Sequence, residues 1–307
     1  MTAENTFRSK IGTRRVVYYR HRLPTRIFHW INVICLGILL LSGLGIFNAH
    51  PALYWGVSSY SGRLPFLEIT SRSEPRAAGA DDLVLLSISD LAAGTTGQTR
   101  GVLRIAGHEF DTTGILGVSK YTNGKTNEHA FPSWLTIPGH YSLADSRLWH
   151  FFFAWLLLIN GLFYVGYSIV SRHLKRDLLP DKNDLRGIGT SVIDHLQFKH
   201  PKGDAARRYN VLQKLAYLAV IFILLPLIIL MGMAMSPMLD AVMTGWVDWF
   251  GGRQSARTIH FIVAWLLVAF VVIHVFEVIV SGLWNHLRSM VTGYFSIEPG
   301  AGKGDRS

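Results

Sequence analysis

The sequence contains a single cysteine, Cys35. One cysteine excludes an intrachain disulfide, a Cys-x-x-Cys metal site and the Cys-x-x-Cys-His attachment of a covalently bound haem. Charged residues are also scarce, at 16% of 307 residues, whereas globular proteins average about 25%. The composition therefore excludes a disulfide-rich secreted domain and argues against an ordinary soluble enzyme.

Hydrophobic residues make up 50% of the chain, and they are concentrated in four long apolar runs. Each run is long enough, at about 1.5 Å per residue, to cross a hydrocarbon layer about 30 Å thick. No small-residue cleavage site follows the first run, so we expect it to stay attached rather than to be removed as a signal peptide. The pattern predicts an all-α membrane protein, a bundle of four transmembrane helices with a long extracytoplasmic loop between helices 1 and 2.

The basic residues behind the net charge of +10 are placed asymmetrically, since 20 of the 30 flank the runs on one side. The positive-inside rule makes that side, with both termini, cytoplasmic, and it accounts for the charge without a nucleic-acid partner. The predicted segments are a basic N-terminus at 1–26, spans at 27–47, 148–171, 211–235 and 258–284, outer loops at 48–147 and 236–257, a cytoplasmic loop at 172–210 and a cytoplasmic tail at 285–307.

The outer loop at 48–147 is the one segment long enough to form a subdomain. Residues 83–88 and 101–105 resemble short strands, and Ala106-Gly107 predicts a turn into a third strand at 108–110.

Four histidines lie in or at the ends of the predicted spans, where ionisable groups are costly: His29, His150, His260 and His274. The two in the fourth span are 14 residues apart. At about 100° per residue they face the same way, and they are separated by a rise of about 21 Å. Two planar cofactors held one above the other in the bilayer would fit this spacing.

The order of the spans assigns a second ligand to each cofactor. The second span runs inward, so His150 is level with His260 near the outer face, whereas His29 lies near the inner face on the side of His274. The depths of the two inner histidines match less well, because His29 is nearly at the start of the first span, whereas His274 is about 15 Å from Trp284 at the end of the fourth. Either the fourth span continues into the cytoplasm or the inner boundary falls before Trp284. His21 and His140 are the substitutes if an assigned ligand is wrong.

Three of the four histidines follow an arginine by three residues, in Arg26-x-x-His29, Arg147-x-x-His150 and Arg257-x-x-His260. This spacing puts both side chains on one helix face, where the arginine can bind the propionates of a haem. A lone histidine or arginine at a membrane boundary is more often an interfacial anchor. The repeat instead predicts two noncovalent b haems with bis-histidine ligation, and zinc fits poorly because the histidines occupy two depths.

Five glycines in the first two spans would make room for a macrocycle or simply allow close packing: Gly37, Gly43, Gly45, Gly161 and Gly166.

The segments RLPTRIFHW, SRLWHFFFAW, RRYNVLQKLAY and RTIHFIVAWLLVAFVVIHV resemble the bacterial b-type cytochromes of nickel-iron hydrogenases, formate dehydrogenase gamma subunits and thiosulfate reductases. The resemblance covers the four spans and implies an inner-membrane bundle with two b haems, the inner held by His29 and His274 and the outer by His150 and His260. It also implies a quinone site at the start of the third span, at Asn210, Gln213 and Lys214. A helix start, with Asn210 as N-cap and Lys214 snorkelling, explains that trio equally well.

The outer loop is far longer than the resemblance requires. Long-loop members of the family resemble cytochromes found alongside molybdopterin oxidoreductases, so the resemblance implies a periplasmic oxidoreductase subunit of that kind as partner, with the substrate chemistry on that other chain. The chain itself is then an electron-transfer subunit of a respiratory chain, between the quinone pool and that partner. The rival hypotheses are a haem-free transporter or anchor and a self-contained quinol oxidase or metal reductase, so whether this chain is itself an enzyme stays open.

Overall fold

The computed structural model describes residues 16–59, 64–74, 98–121, 123–197 and 210–297. Within these residues, four helices are long and apolar enough to cross a membrane: α1 at Leu23–Phe47, α2 at Leu143–Val170, α5 at Val211–Ala234 and α7 at Arg253–Val280. Large apolar side chains on α2, such as Phe152, Trp155 and Phe163, are more than 60% exposed. Surface of this kind is stable only against lipid, so the helical membrane fold predicted from the sequence is confirmed.

Local signals explain where these helices begin and end. Pro24 lies in the first turn of α1, where its missing N–H costs nothing. Asn210 and Gln213 form a capping box at the start of α5. Helix α7 ends at Val280, and Gly282 follows with φ of +108°, a left-handed conformation that favours glycine. Helix α7 therefore ends four residues before Trp284, the predicted end of the fourth span, and the position of the inner boundary stays a prediction.

Helix α5 contains a π-helical turn at Val220–Leu224, directly before Pro226. Proline has no N–H for the regular helical hydrogen bond, and its ring crowds the carbonyl of the preceding turn. The wider turn accommodates that crowding without ending the helix.

Shorter elements connect the long helices. They are the helices α3 at Lys182–Arg186, α4 at Ile188–Leu196, α6 at Pro237–Val242 and α8 at Leu283–Thr292, the π-helical turn at Leu174–Leu178, and 3-10 turns at Ser133–Leu135 and Trp246–Phe250. Strand β1 at Val16–Tyr19 pairs antiparallel with β8 at Tyr294–Ile297. The sequence analysis did not predict this pairing, because both strands lie in segments without a clear alternating pattern.

The outer loop contains a four-stranded antiparallel sheet in the order β2-β3-β4-β5. Its strands are β2 at Ala52–Leu53, β3 at Leu67–Glu74, β4 at Gln98–Ile105 and β5 at His108–Asp111. Two further short strands, β6 at Ser119–Lys120 and β7 at Thr126–Asn127, pair with each other. The predicted strands at 101–105 and 108–110 are confirmed as parts of β4 and β5. The strand predicted at 83–88 lies outside the described residues.

The turn between β4 and β5 is Ala106-Gly107, with φ of 48° and 88°. Two central residues with positive φ make the turn type whose twist matches a hairpin, so the predicted turn is confirmed. The sheet packs on the end of α1 through a buried apolar cluster, which comprises Leu44, Phe47, Leu53, Ile69, Ala130 and Phe131.

The residues fall into two compact units. One comprises 1–30, 161–223 and 267–307, and the other comprises 31–160 and 224–266. The first unit contains His29 and His274, and the second contains His150 and His260. Each predicted ligand pair therefore lies inside a single unit.

Candidate functional site

The structure places the four span histidines as two facing pairs. The ring centres of His29 and His274 are 6.4 Å apart with an interplanar angle of 59°. Those of His150 and His260 are 6.2 Å apart with an angle of 61°. These are the pairings that the order of the spans predicted.

The helix ends place the two members of each pair at matching depth. His29 lies six residues after Leu23 (29 − 23) and His274 six residues before Val280 (280 − 274). His150 and His260 each lie seven residues after the first residue of their helices (150 − 143 and 260 − 253). The depth mismatch of the inner pair disappears because α1 begins four residues earlier, and α7 ends four residues earlier, than the predicted spans.

The distance between the rings fits a metal held between two axial imidazoles. With a metal–nitrogen bond of about 2 Å and about 1 Å more to each ring centre, two axial rings lie about 6 Å apart. Each imidazole plane contains the axis that joins the two ligand nitrogens, and each ring can rotate about that axis independently. Interplanar angles near 60° are therefore compatible with ligation of one iron. Both pairs therefore meet the distance requirement for bis-histidine ligation of a haem iron.

The outer pair is held at Nδ1 by groups of neighbouring helices. His260 Nδ1 lies 2.9 Å from the carbonyl oxygen of Ile228, and His150 Nδ1 lies 3.1 Å from Ser42 Oγ. A donated Nδ1–H fixes the neutral tautomer whose Nε2 carries the lone pair, which is the form that binds a metal. The sequence analysis missed Ser42 and Ile228, because a hydroxyl or carbonyl on another helix has no spacing signal.

The inner pair is surrounded by aromatic rings. Phe270 stacks on His274 with ring centres 5.9 Å apart and an angle of 14°, and Tyr217 meets the same ring edge-on at 6.5 Å. His29 Nδ1 is buried and has no hydrogen-bond partner among the residues that the structure describes. The two pairs therefore differ in the groups that contact their imidazole rings.

The three arginines predicted to bind propionates have different surroundings. Arg26 donates to the carbonyl of Val291, and the guanidinium of Arg147 lies 5.6 Å from the ring centre of Phe151. Arg257 donates to the carbonyls of His50 and Ala52, the second at 3.2 Å. These hydrogen bonds thus also hold the outer loop against the start of α7. A propionate role for these arginines stays a prediction.

The side chains of Asn210, Gln213 and Lys214, at the start of α5, all form hydrogen bonds within the protein. Leu212 N donates to the Asn210 side chain at 3.2 Å, and Asn210 N donates to Gln213 Oε1 at 3.3 Å. Lys214 does not snorkel to solvent as the alternative interpretation expected, because its buried Nζ bonds Asp184 Oδ2 at 2.7 Å. The helix-start interpretation accounts for Asn210 and Gln213, and the quinone role of the trio stays a prediction.

The two substitute ligands have different surroundings. His140 is 75% exposed, with Nε2 at 3.8 Å from Asp145 Oδ2. Burial, together with the nearby charges of Arg20 and His286, lowers the pKa of His21 to about 4. His21 is therefore neutral at physiological pH.

The five span glycines divide into two groups. A Cβ added at Gly43 would contact His150, and one at Gly45 would lie 2.5 Å from Ser146 Oγ, so these two allow close packing. A Cβ at Gly37, Gly161 or Gly166 would meet no atom of the described residues within 4 Å.

Comparison with known proteins identifies the family. The model of the family described as prokaryotic cytochrome b561 matches residues 20–293, which is most of the chain. The chain belongs to this family. It is therefore a multi-pass membrane protein that carries haem b and transfers electrons, as the resemblance to b-type cytochromes predicted.

A relative of this cytochrome is the putative protein-methionine-sulfoxide reductase subunit YedZ1 of Azospira oryzae. The two chains are 34% identical over 167 residues, which cover 53% of this chain and 77% of the relative.

Proposed function

We propose that this cytochrome holds two noncovalent b haems and carries electrons across the bacterial inner membrane between a quinone and a periplasmic redox partner. The observation that carries the proposal is the pair of facing histidine sites, with ring centres 6.4 and 6.2 Å apart. His29 and His274 ligate the inner haem, and His150 and His260 ligate the outer one. Bound haem supplies one-electron chemistry, and the protein fixes its axial ligands.

The position of the two sites along α7 supports a transmembrane path. His260 and His274 are 14 residues apart on one helix, which corresponds to a rise of about 21 Å. The bilayer core is about 30 Å thick, so electrons passing from one site to the other would cross most of it. A quinol dissolved in the bilayer would release two electrons and two protons at the cytoplasmic side.

The outer loop supports a partner on the periplasmic side. The segment that follows β2 is joined to the start of α7 by hydrogen bonds, including Thr258 Oγ1 to the Tyr54 carbonyl at 2.7 Å and Gly56 N to Ser255 Oγ at 2.7 Å. A relative is named as a reductase subunit, and by analogy we assign the substrate chemistry to a separate oxidoreductase chain, of the molybdopterin-dependent class.

Purified protein should contain two b haems per chain by pyridine haemochrome assay, both low-spin because each iron has two imidazole ligands. A haem content near zero would support the haem-free transporter or anchor instead. Oxidation of the haems by an added metal ion or by oxygen at a catalytic rate, without any partner, would favour the self-contained reductase or oxidase.

The pairing is tested by a double substitution. His29→Ala and His274→Ala should each remove the inner haem, and the double variant should lose no more than either, because residues serving one site are strongly non-additive. His150→Ala and His260→Ala should share the complementary phenotype. Loss of two haems in the His29 and His274 double variant would mean that the pairing is wrong.

A further inference from the structure

We propose that Ser42, Gly43 and Gly232 are positioning residues of the outer haem: the two glycines let the axial histidines reach hydrogen-bond acceptors on the neighbouring helices, and Ser42 is one of those acceptors. This inference rests on the proposed function, because it concerns how His150 and His260 are held as ligands.

The contact of His260 with α5 depends on Gly232. His260 Nδ1 donates to the carbonyl of Ile228 at 2.9 Å. Gly232 lies four residues later, on the same helix face, directly above that carbonyl. A Cβ at Gly232 would lie 3.4 Å from Cε1 and 3.7 Å from Nδ1 of His260. The first distance is at the close limit of ordinary van der Waals contact, so an alanine Cβ would touch the ring, and the larger side chain of valine would push it from this position.

His150 has an equivalent arrangement against α1. Its Nδ1 lies 3.1 Å from Ser42 Oγ. A Cβ at the adjacent Gly43 would lie 3.3 Å from Cε1 and 3.6 Å from Nδ1 of His150. The imidazoles of both outer ligands therefore lie against a glycine with the same two ring atoms facing it.

The direction of the Ser42 bond follows from the other partners of its hydroxyl. Ser42 is fully buried, and its hydroxyl donates to carbonyls of its own helix, Ile38 at 2.7 Å and Leu39 at 3.3 Å. The hydroxyl proton is used on these carbonyls, so Oγ accepts from His150 Nδ1–H. His150 Nε2 then keeps the lone pair, and the same tautomer results at His260.

The inner pair lacks the matching arrangement at His29, whose Nδ1 is buried without a partner among the described residues. A hydrogen bond at Nδ1 raises the basicity of a ligating imidazole and fixes its orientation. A more basic ligand stabilises the ferric haem, and this lowers the reduction potential. We therefore expect loss of the Ser42 bond to raise the potential of the outer haem and leave that of the inner haem unchanged.

The experiment compares Ser42→Ala, Gly43→Ala and Gly232→Val with two matched controls. Gly189→Ala changes a helical glycine of α4 where a Cβ meets no described atom within 4 Å, and Ser168→Ala changes a buried serine of α2. Haem content and both midpoint potentials are measured on detergent-purified chains. His150→Ala identifies which potential belongs to the outer haem.

Ser42→Ala should keep two haems per chain while the outer midpoint rises. Gly43→Ala and Gly232→Val should weaken retention of the outer haem about 10-fold, and the inner haem, retained in each, reports that the bundle has folded. Both controls should match the unaltered protein. Unchanged outer potential and haem content in all three variants, in a protein that holds two haems, would overturn this inference and leave the proposed function intact. An unaltered protein without haem would overturn both.

Discussion

At the scale of the residue, Arg257 is a half-buried cation that contacts both the outer loop and an aromatic ring. Its guanidinium donates to two backbone carbonyls of the outer loop and lies 5.6 Å from the ring centre of Phe47. Arg147 has the same spacing to its histidine, but it is exposed and contacts one ring. The same sequence motif therefore serves two different local structures.

We expect Arg257→Gln to lower the free energy of unfolding by about 2 kcal/mol, because two loop carbonyls lose their charged donor. Arg147→Gln, the control with the same spacing, should leave the thermal midpoint in detergent unchanged. If both arginines compensate propionate charge, both substitutions should lower the midpoint potential of the outer haem. Equal thermal midpoints for the two variants would contradict the structural role of Arg257.

At the scale of the element, the start of α5 is joined to α3 by one ion pair. Lys214 Nζ lies 2.7 Å from Asp184 Oδ2, with side chains 10% and 25% exposed. Asp184 also belongs to the capping box that begins α3, with Asp181. This ion pair therefore fixes the start of α5 relative to α3.

Each substitution breaks this largely buried ion pair, and we expect a loss of about 2 kcal/mol of stability for Lys214→Met and for Asp184→Asn. Lys182→Met, on the exposed face of α3, is the control. A double-mutant cycle on thermal unfolding measures the coupling. If Lys214 serves a quinone instead, Lys214→Met should raise the KM for quinol in a way that Asp184→Asn does not, and the cycle should show no coupling.

At the scale of the whole molecule, the asymmetric placement of basic residues predicts how the chain is oriented in the membrane. The positive-inside rule predicts that both termini lie in the cytoplasm and the 48–147 loop outside. A reporter fused after Ser307 should therefore be active only in its cytoplasmic form, and one inserted at Gly94 only in its exported form. The reverse pattern would exchange the inner and outer haem assignments, although the pairing of histidines would stand.

The sequence by itself determined the four spans, the two histidine pairs and the arginines that precede three of the four histidines. A helix satisfies its own backbone hydrogen bonds in lipid, so apolar length and a 3.6-residue period are sufficient to locate His260 and His274 on one face. The hairpin of β4 and β5 was also predictable, because Ala106-Gly107 is a local turn signal.

Only the tertiary structure decided what surrounds those residues. The acceptors for His150 and His260, the partner of Lys214 and the carbonyls bound by Arg257 all lie far away in the chain, and backbone groups carry no residue-specific signal. Strand β1 likewise pairs with a segment near the other end of the chain. Spacing along one helix fixes which side chains share a face, whereas contacts between helices depend on packing that no single segment encodes.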